Sequence, residues 1–276
     1  MRLLSLSLVL ALLAAPAARA EAVHFPGKGL ELSGTLARPT GPGPFPAVVA
    51  LHGCSGLYGP AGELSPRHED WARRLTAKGY VVLFPDSFGS RGVGPQCKTE
   101  DRVTRPANER VDDAKAAKTY LQARADVKPA SILLLGWSNG GSTVLYAAKA
   151  GRGAKDGQPD FSGAVAFYPG CRLPLEKGDW HARIPLLILI GADDDWTPAA
   201  PCKDLSDQAR MSNEPVSIVL FPNAYHDFDT PDVAVHEVSG LAYTAKGGGS
   251  AHAGTNPAAR ADAVKRVAEF FAAHAP

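Results

Sequence analysis

Six continuous apolar stretches punctuate the chain between residues 45 and 224: FPAVVALHG, YVVLFPD, ASILLLGW, FSGAVAFYPG, IPLLILIGA and VSIVLFPNA. Each is short, rich in Val, Leu or Ile, and bounded by Gly, Pro, Asp or Asn, the pattern of strands covered on both faces. Between them, HEDWARRLTAKG, NERVDDAKAAKTYLQARA, GGSTVLYAAKAG and PCKDLSDQARM carry apolar residues at helical spacing, as does the closing PAARADAVKRVAEFFAAH. Gly79 stands where a helix C-cap is expected. Strands alternating with helices imply an α/β sheet joined by right-handed crossovers. Ahead of it, AVHF and LELSGTLA flank Pro-Gly-Lys-Gly and read as an opening hairpin. With no internal repeat and no linker, residues 21–276 are expected to form a single domain. The glycine-rich tract 245–256, AKGGGSAHAGTN, reads as a surface loop, idle or gating.

The first twenty residues, MRLLSLSLVLALLAAPAARA, have a basic start, a leucine-rich centre and a small-x-small ending, which is the form of a secretory signal peptide cleaved before Glu21. No later segment approaches the roughly 20 apolar residues of a membrane span. Residues 1–20 contain two arginines and no acid, so the remainder holds 27 basic against 28 acidic residues, a formal charge of −1. Such a balance offers no basic surface for nucleic acid. Export, periplasmic or secreted, also governs how Cys54, Cys97, Cys171 and Cys202 read: an even number with no CxxC spacing implies disulfides rather than a metal site. Three pairings are possible.

Ligands of such sheets sit beyond the C-terminal ends of the strands, where Gly136-Trp137-Ser138-Asn139-Gly140 forms a G-x-S-x-G motif between a buried strand and a helix. A nucleophile held on so sharp a turn needs small neighbours and gains from the helix N-terminus beside it. A serine hydroxyl also needs a base. Of eight histidines, His226 follows the last apolar run, downstream of the serine. His24, His68 and His274 read as solvated, His236 and His252 as part of an irregular tail, and His52 precedes the serine. An acid to orient the imidazole belongs after IPLLILIG, where Asp193, Asp194 and Asp195 all qualify. Their other readings are a helix cap or a solvated acidic turn, and the spacing lacks the further oxygen ligands of a calcium site. The oxyanion would be held by two backbone N–H groups, of Asn139 after the nucleophile and of Cys54 in LHGCSG. Trp137, Trp196, Arg91 and Tyr58 are candidates for the substrate pocket; core packing for the tryptophans and a structural salt bridge for Arg91 are the competing readings.

Taken in order, LHGCSGLYGP, GYVVLFPDSFGSRG, LLLGWSNGGS, AFYPGC, GADDDWTP and NAYHDFD resemble the dienelactone hydrolase family of α/β-hydrolases, particularly its exported bacterial members. The resemblance implies a mostly parallel sheet of about eight strands with helices on both faces. Its G-x-x-D-x-x-x-P pattern selects Asp194, and its strand order implies the bridges Cys54–Cys97 and Cys171–Cys202. The namesake enzymes use a cysteine nucleophile and a glutamate in the oxyanion-side loop, whereas Ser138 and Gly53 occupy those positions here. A general carboxylic ester or lactone is therefore the expected small-molecule substrate, cleaved by Ser138, Asp194 and His226 without cofactor or metal. A serine peptidase on the same fold and a non-catalytic exported binding protein that kept the pocket are the alternatives.

Overall fold

The computed structural model describes residues 19–153 and 157–275, so the expected leader lies outside the described residues up to position 18. Arg19 and Ala20 open β1 (Arg19–Pro26), which pairs antiparallel with β2 (Glu31–Arg38) as the expected hairpin. The six apolar runs become β3 (Phe45–Leu51), β4 (Val81–Pro85), β5 (Val127–Trp137), β6 (Gly163–Phe167), β7 (Leu186–Gly191) and β8 (Val216–Phe221). The eight-stranded sheet runs β1-β2-β4-β3-β5-β6-β7-β8, with β4 through β8 in that order mutually parallel and β2 antiparallel to β4.

Every residue of β4, β6 and β7 is buried, which is why these strands read as unbroken apolar runs rather than alternating ones. Full burial of each Leu or Ile contributes about 1.5–3 kcal/mol. β8 at the sheet edge is buried only at its two ends.

Helix α1 (Pro66–Ala77) begins with proline at its first turn and ends at Gly79, whose N–H bonds Thr76 O while Tyr80 N–H bonds Leu75 O. This double closure requires a left-handed residue after the cap, supplied by Gly79 at φ 84°. α2 (Glu109–Gln122) and α3 (Asn139–Ala148) pack on one another, while α6 (Pro257–His274) meets α1 through the Arg260–Asp70 ion pair and the turn after α1 through the Tyr80–Phe271 rings. α4 (Arg172–Lys177) and α5 (Ala199–Met211) complete the helices. No described helix is long and apolar enough to cross a membrane.

The chain leaves β3 toward β4 on one side and returns to β5 on the other, so the loops after β3 and β5 diverge from one crevice. Such a reversal of strand order is where open α/β sheets place their ligands. It sets His52-Gly53-Cys54 beside Ser138.

Two expectations are corrected. The tract 245–256 is not an unstructured loop: β10 (Gly247–Ala253) pairs with β9 (His236–Thr244) as a separate antiparallel hairpin. His236 and His252 therefore lie on strands. The misreading has a physical cause, since three consecutive glycines weaken a strand signal and this hairpin carries two register shifts. His68 is buried rather than solvated, its Nδ1 placed between Ser65 Oγ (2.8 Å) and the Leu57 carbonyl (3.0 Å), and burial lowers its pKa to about 3.

Candidate active site

Ser138 sits between β5 and α3 with φ 53° and ψ −113°, a conformation that costs about 1–3 kcal/mol and persists only where the surroundings enforce it. Its N–H bonds Phe167 O (3.0 Å) and its carbonyl accepts from Ser142 N–H (2.7 Å) and Ser142 Oγ (3.1 Å). The Oγ takes no part in capping α3. Gly140 is required by close approach: a Cβ there would lie 2.0 Å from Leu51 O and 2.6 Å from His52 O. Without a side chain, the first turn of α3 presses onto the end of β3. That brings the two loops of the crevice together.

The acidic run after β7 divides its labour. Asp194 is buried, and its Oδ1 accepts from Trp196 N–H (2.9 Å) and Thr197 N–H (2.8 Å) while its Oδ2 lies 2.8 Å from His226 Nδ1. Asp195 instead takes His252, through the backbone N–H and through Nδ1, both at 2.8 Å. Asp193 is exposed. The loop bearing His226 reaches Asp194 because Gly191 lets it cross closely; a Cβ at Gly191 would stand 2.1 Å from Ala224 O.

A carboxylate can only accept, so the proton of His226 is on Nδ1 and the lone pair on Nε2. That Nε2 is buried and has no hydrogen-bond partner among the described residues. The imidazole is held between Tyr168 (ring centroids 4.5 Å) and Trp196 (4.6 Å). Tyr168 follows Phe167, whose carbonyl holds the Ser138 amide, so serine and imidazole lie at the same end of the sheet. Burial opposes the imidazolium, but the charge and hydrogen bond of Asp194 outweigh it and the pKa of His226 is raised.

Asn139 opens α3, where first-turn N–H groups have no acceptor within the helix. Cys54 lies across the crevice: a Cβ on its neighbour Gly53 would be 3.6 Å from Ser138 Cβ. Disulfides join Cys54 to Cys97 and Cys171 to Cys202. Among the described residues no cluster of three or more His, Cys, Asp or Glu side chains is arranged to hold a metal ion.

The pocket candidates separate. Trp196 packs at a tilt of 34° against His226 and is partly exposed. Tyr58 is half-buried, with its hydroxyl 3.1 Å from Thr35 Oγ1. Trp137, by contrast, has no exposed surface and gives its indole N–H to Asp229 (2.8 Å), so it belongs to the core and not to a pocket wall. Arg91 is committed to a two-pronged pair with Asp113 (2.8 Å on both arms) and to Ser87 O (2.8 Å). The structural salt bridge is the arrangement found.

Sequence reasoning missed the support beneath the histidine loop. Asp229 is buried and accepts from Trp71 Nε1 (2.7 Å), Trp137 Nε1 (2.8 Å) and Tyr168 OH (2.5 Å), while Arg67 bridges to Asp227 (2.6 Å). Their signal was a pair of acids one and three residues after an aromatic-flanked histidine. Arg110 was missed as well, although it falls with Asp113, Ala114, Ala117 and Leu121 on the buried stripe of α2. Charges at core positions of a helix are rare enough to mark a role.

A model of the dienelactone hydrolase family matches residues 32–275. A Synechocystis sp. protein provisionally assigned as a carboxymethylenebutenolidase is 22% identical over 225 residues, covering 75% of this chain and 85% of that protein. The crystal structure of dienelactone hydrolase from Anabaena variabilis superposes with a TM-score of 0.66 at 18% identity, covering 95% of this chain and 100% of that one. Acylaminoacyl peptidase from Pyrococcus horikoshii superposes with a TM-score of 0.68 at 17% identity over 94% of this chain, but over 42% of the peptidase.

Proposed function

The chain belongs to the dienelactone hydrolase family, and within it we propose a serine hydrolase that cleaves carboxylic esters or lactones through Ser138, Asp194 and His226. One observation carries the reading. A serine in a strained turn at a helix N-terminus lies at the same end of the sheet as a buried His226, whose Nδ1 is held by Asp194 and whose Nε2 has no hydrogen-bond partner among the described residues.

In the reaction His226 Nε2 takes the proton of Ser138 Oγ as the oxygen attacks the ester carbonyl carbon. The amides of Asn139 and Cys54 bond the oxyanion, and Asp194 stabilises the imidazolium. His226 returns the proton to the departing alkoxide, leaving an acyl-serine. Water, deprotonated by the same nitrogen, then attacks the acyl carbon and releases the acid and the free serine. For a lactone the leaving oxygen stays tethered in the product.

The serine at the position of the namesake cysteine supports esters or lactones in general over dienelactone itself. The two disulfides fit an oxidising compartment, and with the leader-like first twenty residues they support export to the periplasm or beyond. A peptidase reading comes second, favoured by the peptidase neighbour but matched over less than half of that enzyme.

Nitrophenyl ester turnover and labelling by a fluorophosphonate test the assignment. Both are expected in the wild type, with turnover falling about 10⁴-fold or more in Ser138→Ala. Undiminished labelling of that variant overturns the triad. A panel of aryl esters, lactones and short peptides separates esterase from peptidase.

A further inference from the structure

Behind the crevice lies a cation that takes no part in the proposed proton transfers. Arg110 on α2 is fully buried, and its guanidinium grips two neutral acceptors: Nη1 donates to Asn139 Oδ1 (2.5 Å) and Nη2 to the His52 carbonyl (2.8 Å). Its Nε has no partner among the described residues, and the guanidinium carbon lies 5.2 Å from the centroid of the Phe88 ring. Neither nearby acid pairs with it directly. Asp113 is taken by Arg91, and Asp86 Oδ1 accepts from Phe88 and Gly89 N–H. Burial pulls the Arg110 pKa down to about 9, opposed by the charges of Asp113 and Asp86, and the group stays charged near neutrality.

The two acceptors are not arbitrary. Asn139 carries one of the proposed oxyanion amides, and His52 begins the loop that carries the other. His52 extends the linkage. Its Nε2 accepts from Ser87 N–H (3.2 Å), so its Nδ1 holds the proton and donates to Gly53 O (2.8 Å). In a trans peptide the carbonyl and the following N–H point in opposite directions. Anchoring Gly53 O therefore sets the direction of Cys54 N–H. One guanidinium thus ties together Asn139 and the residue whose ring orients the Cys54 amide, across the contact that Gly140 permits.

We propose that Arg110 is a positioning residue for ester hydrolysis, clamping Asn139 and the His52–Cys54 loop so that both amides converge on the oxyanion. The inference rests on the serine-hydrolase reading. A clamp of this kind acts in the transition state, where charge on the carbonyl oxygen is largest, and not on ground-state binding. The buried positive charge adds to the same end, because water is excluded around it.

Two variants test the clamp. Arg110→Lys keeps a charge but cannot span both acceptors; Asn139→Ala keeps the amide and removes one acceptor. Each is expected to lower kcat for a nitrophenyl ester about 10- to 100-fold. KM stays within about threefold, and affinity for a trifluoromethyl ketone analogue falls in parallel with kcat. The acid limb of the pH profile stays in place, because Asp194 and His226 are untouched. The double variant is no slower than the slower single, since both break one linkage. Unchanged kcat in both singles, losses confined to KM, a displaced acid limb, or additive losses would each overturn the proposal. Should Arg110→Lys fail to fold, Asn139→Ala with the ketone decides alone. If the wild type neither turns over esters nor labels at Ser138, the serine-hydrolase reading fails instead, independently of Arg110.

Discussion

Asp194 and Asp195 are adjacent in the chain yet face different histidines: Asp194 Oδ2 lies 2.8 Å from His226 Nδ1, and Asp195 Oδ2 lies 2.8 Å from His252 Nδ1. The first pair is buried and the second partly exposed, with side-chain exposures of 1% and 0% against 44% and 39%. Asp194→Asn is expected to lower kcat by about 10³- to 10⁴-fold, because the amide cannot hold His226 in the tautomer that leaves Nε2 basic. Asp195→Asn, at a screened surface pair, should stay within a few-fold of wild type and change stability by less than about 1 kcal/mol. Parallel ester kinetics on the two variants check the assignment.

The proposed hydrolysis needs His226 with Nε2 unprotonated. Its pKa in the folded chain is raised from 6.5, so kcat/KM should fall as pH drops through a value above 6.5. The protonated ring is the form the fold favours; its stabilising contribution is complete below the unfolded value and is lost as pH rises through the folded one. Removing the Asp194 charge leaves only the weaker effect of Asp227 against burial, so the residual activity of Asp194→Asn should show its acid inflection at lower pH. A pH profile of both proteins reads the sign directly.

Gly140→Ala puts a methyl 2.0 Å from the Leu51 carbonyl, a backbone atom that cannot swing aside. Overpacking of this kind costs about 1–3 kcal/mol or more. Urea denaturation should show that loss, and the shift of α3 away from β3 should reduce turnover with it.

Asp229→Leu strips the shared acceptor from two indole N–H groups and the Tyr168 hydroxyl. A cost of about 3–5 kcal/mol is expected from donors left buried without partners. Since Tyr168 packs on His226, kcat should fall in any variant that still folds. Asp229→Asn, which retains an acceptor oxygen, should lie between the two in a denaturant titration.

The disulfides close chain separations of 43 and 31 residues, each worth about 4 kcal/mol on loop entropy alone. Cys54–Cys97 also tethers the loop of the Cys54 amide, the second proposed oxyanion donor. Replacing Cys54 and Cys97 together by serine should therefore lower kcat as well as the melting temperature. Replacing Cys171 and Cys202 together should act mainly on melting.

Strand identity, the parallel core and the serine turn were legible because each depends on local pattern: unbroken apolar runs, helical spacing and glycines about one serine. Arg110 and Asp229 were not, because their significance is a set of partners drawn from distant segments. Asp229 meets Trp71 and Trp137 at separations of 158 and 92 residues. The β9–β10 hairpin was hidden by its glycines, and Trp137 and Arg91 looked like pocket residues because nearness in sequence to Ser138 or to a strand end says nothing of which way a side chain turns.

By itself, then, the amino-acid order determined the eight strands of the central sheet and five of the described helices, and that a serine, three acids and a histidine follow one another at strand ends. Tertiary structure alone decided that Asp195 turns to His252, that Arg91 is spent on Asp113, and that a buried guanidinium joins the loops of Asn139 and Cys54. Periodicity reports burial of a face, a one-dimensional property. Hydrogen-bond partnership depends on angles and distances between loops, and those exist only once the sheet has set them side by side.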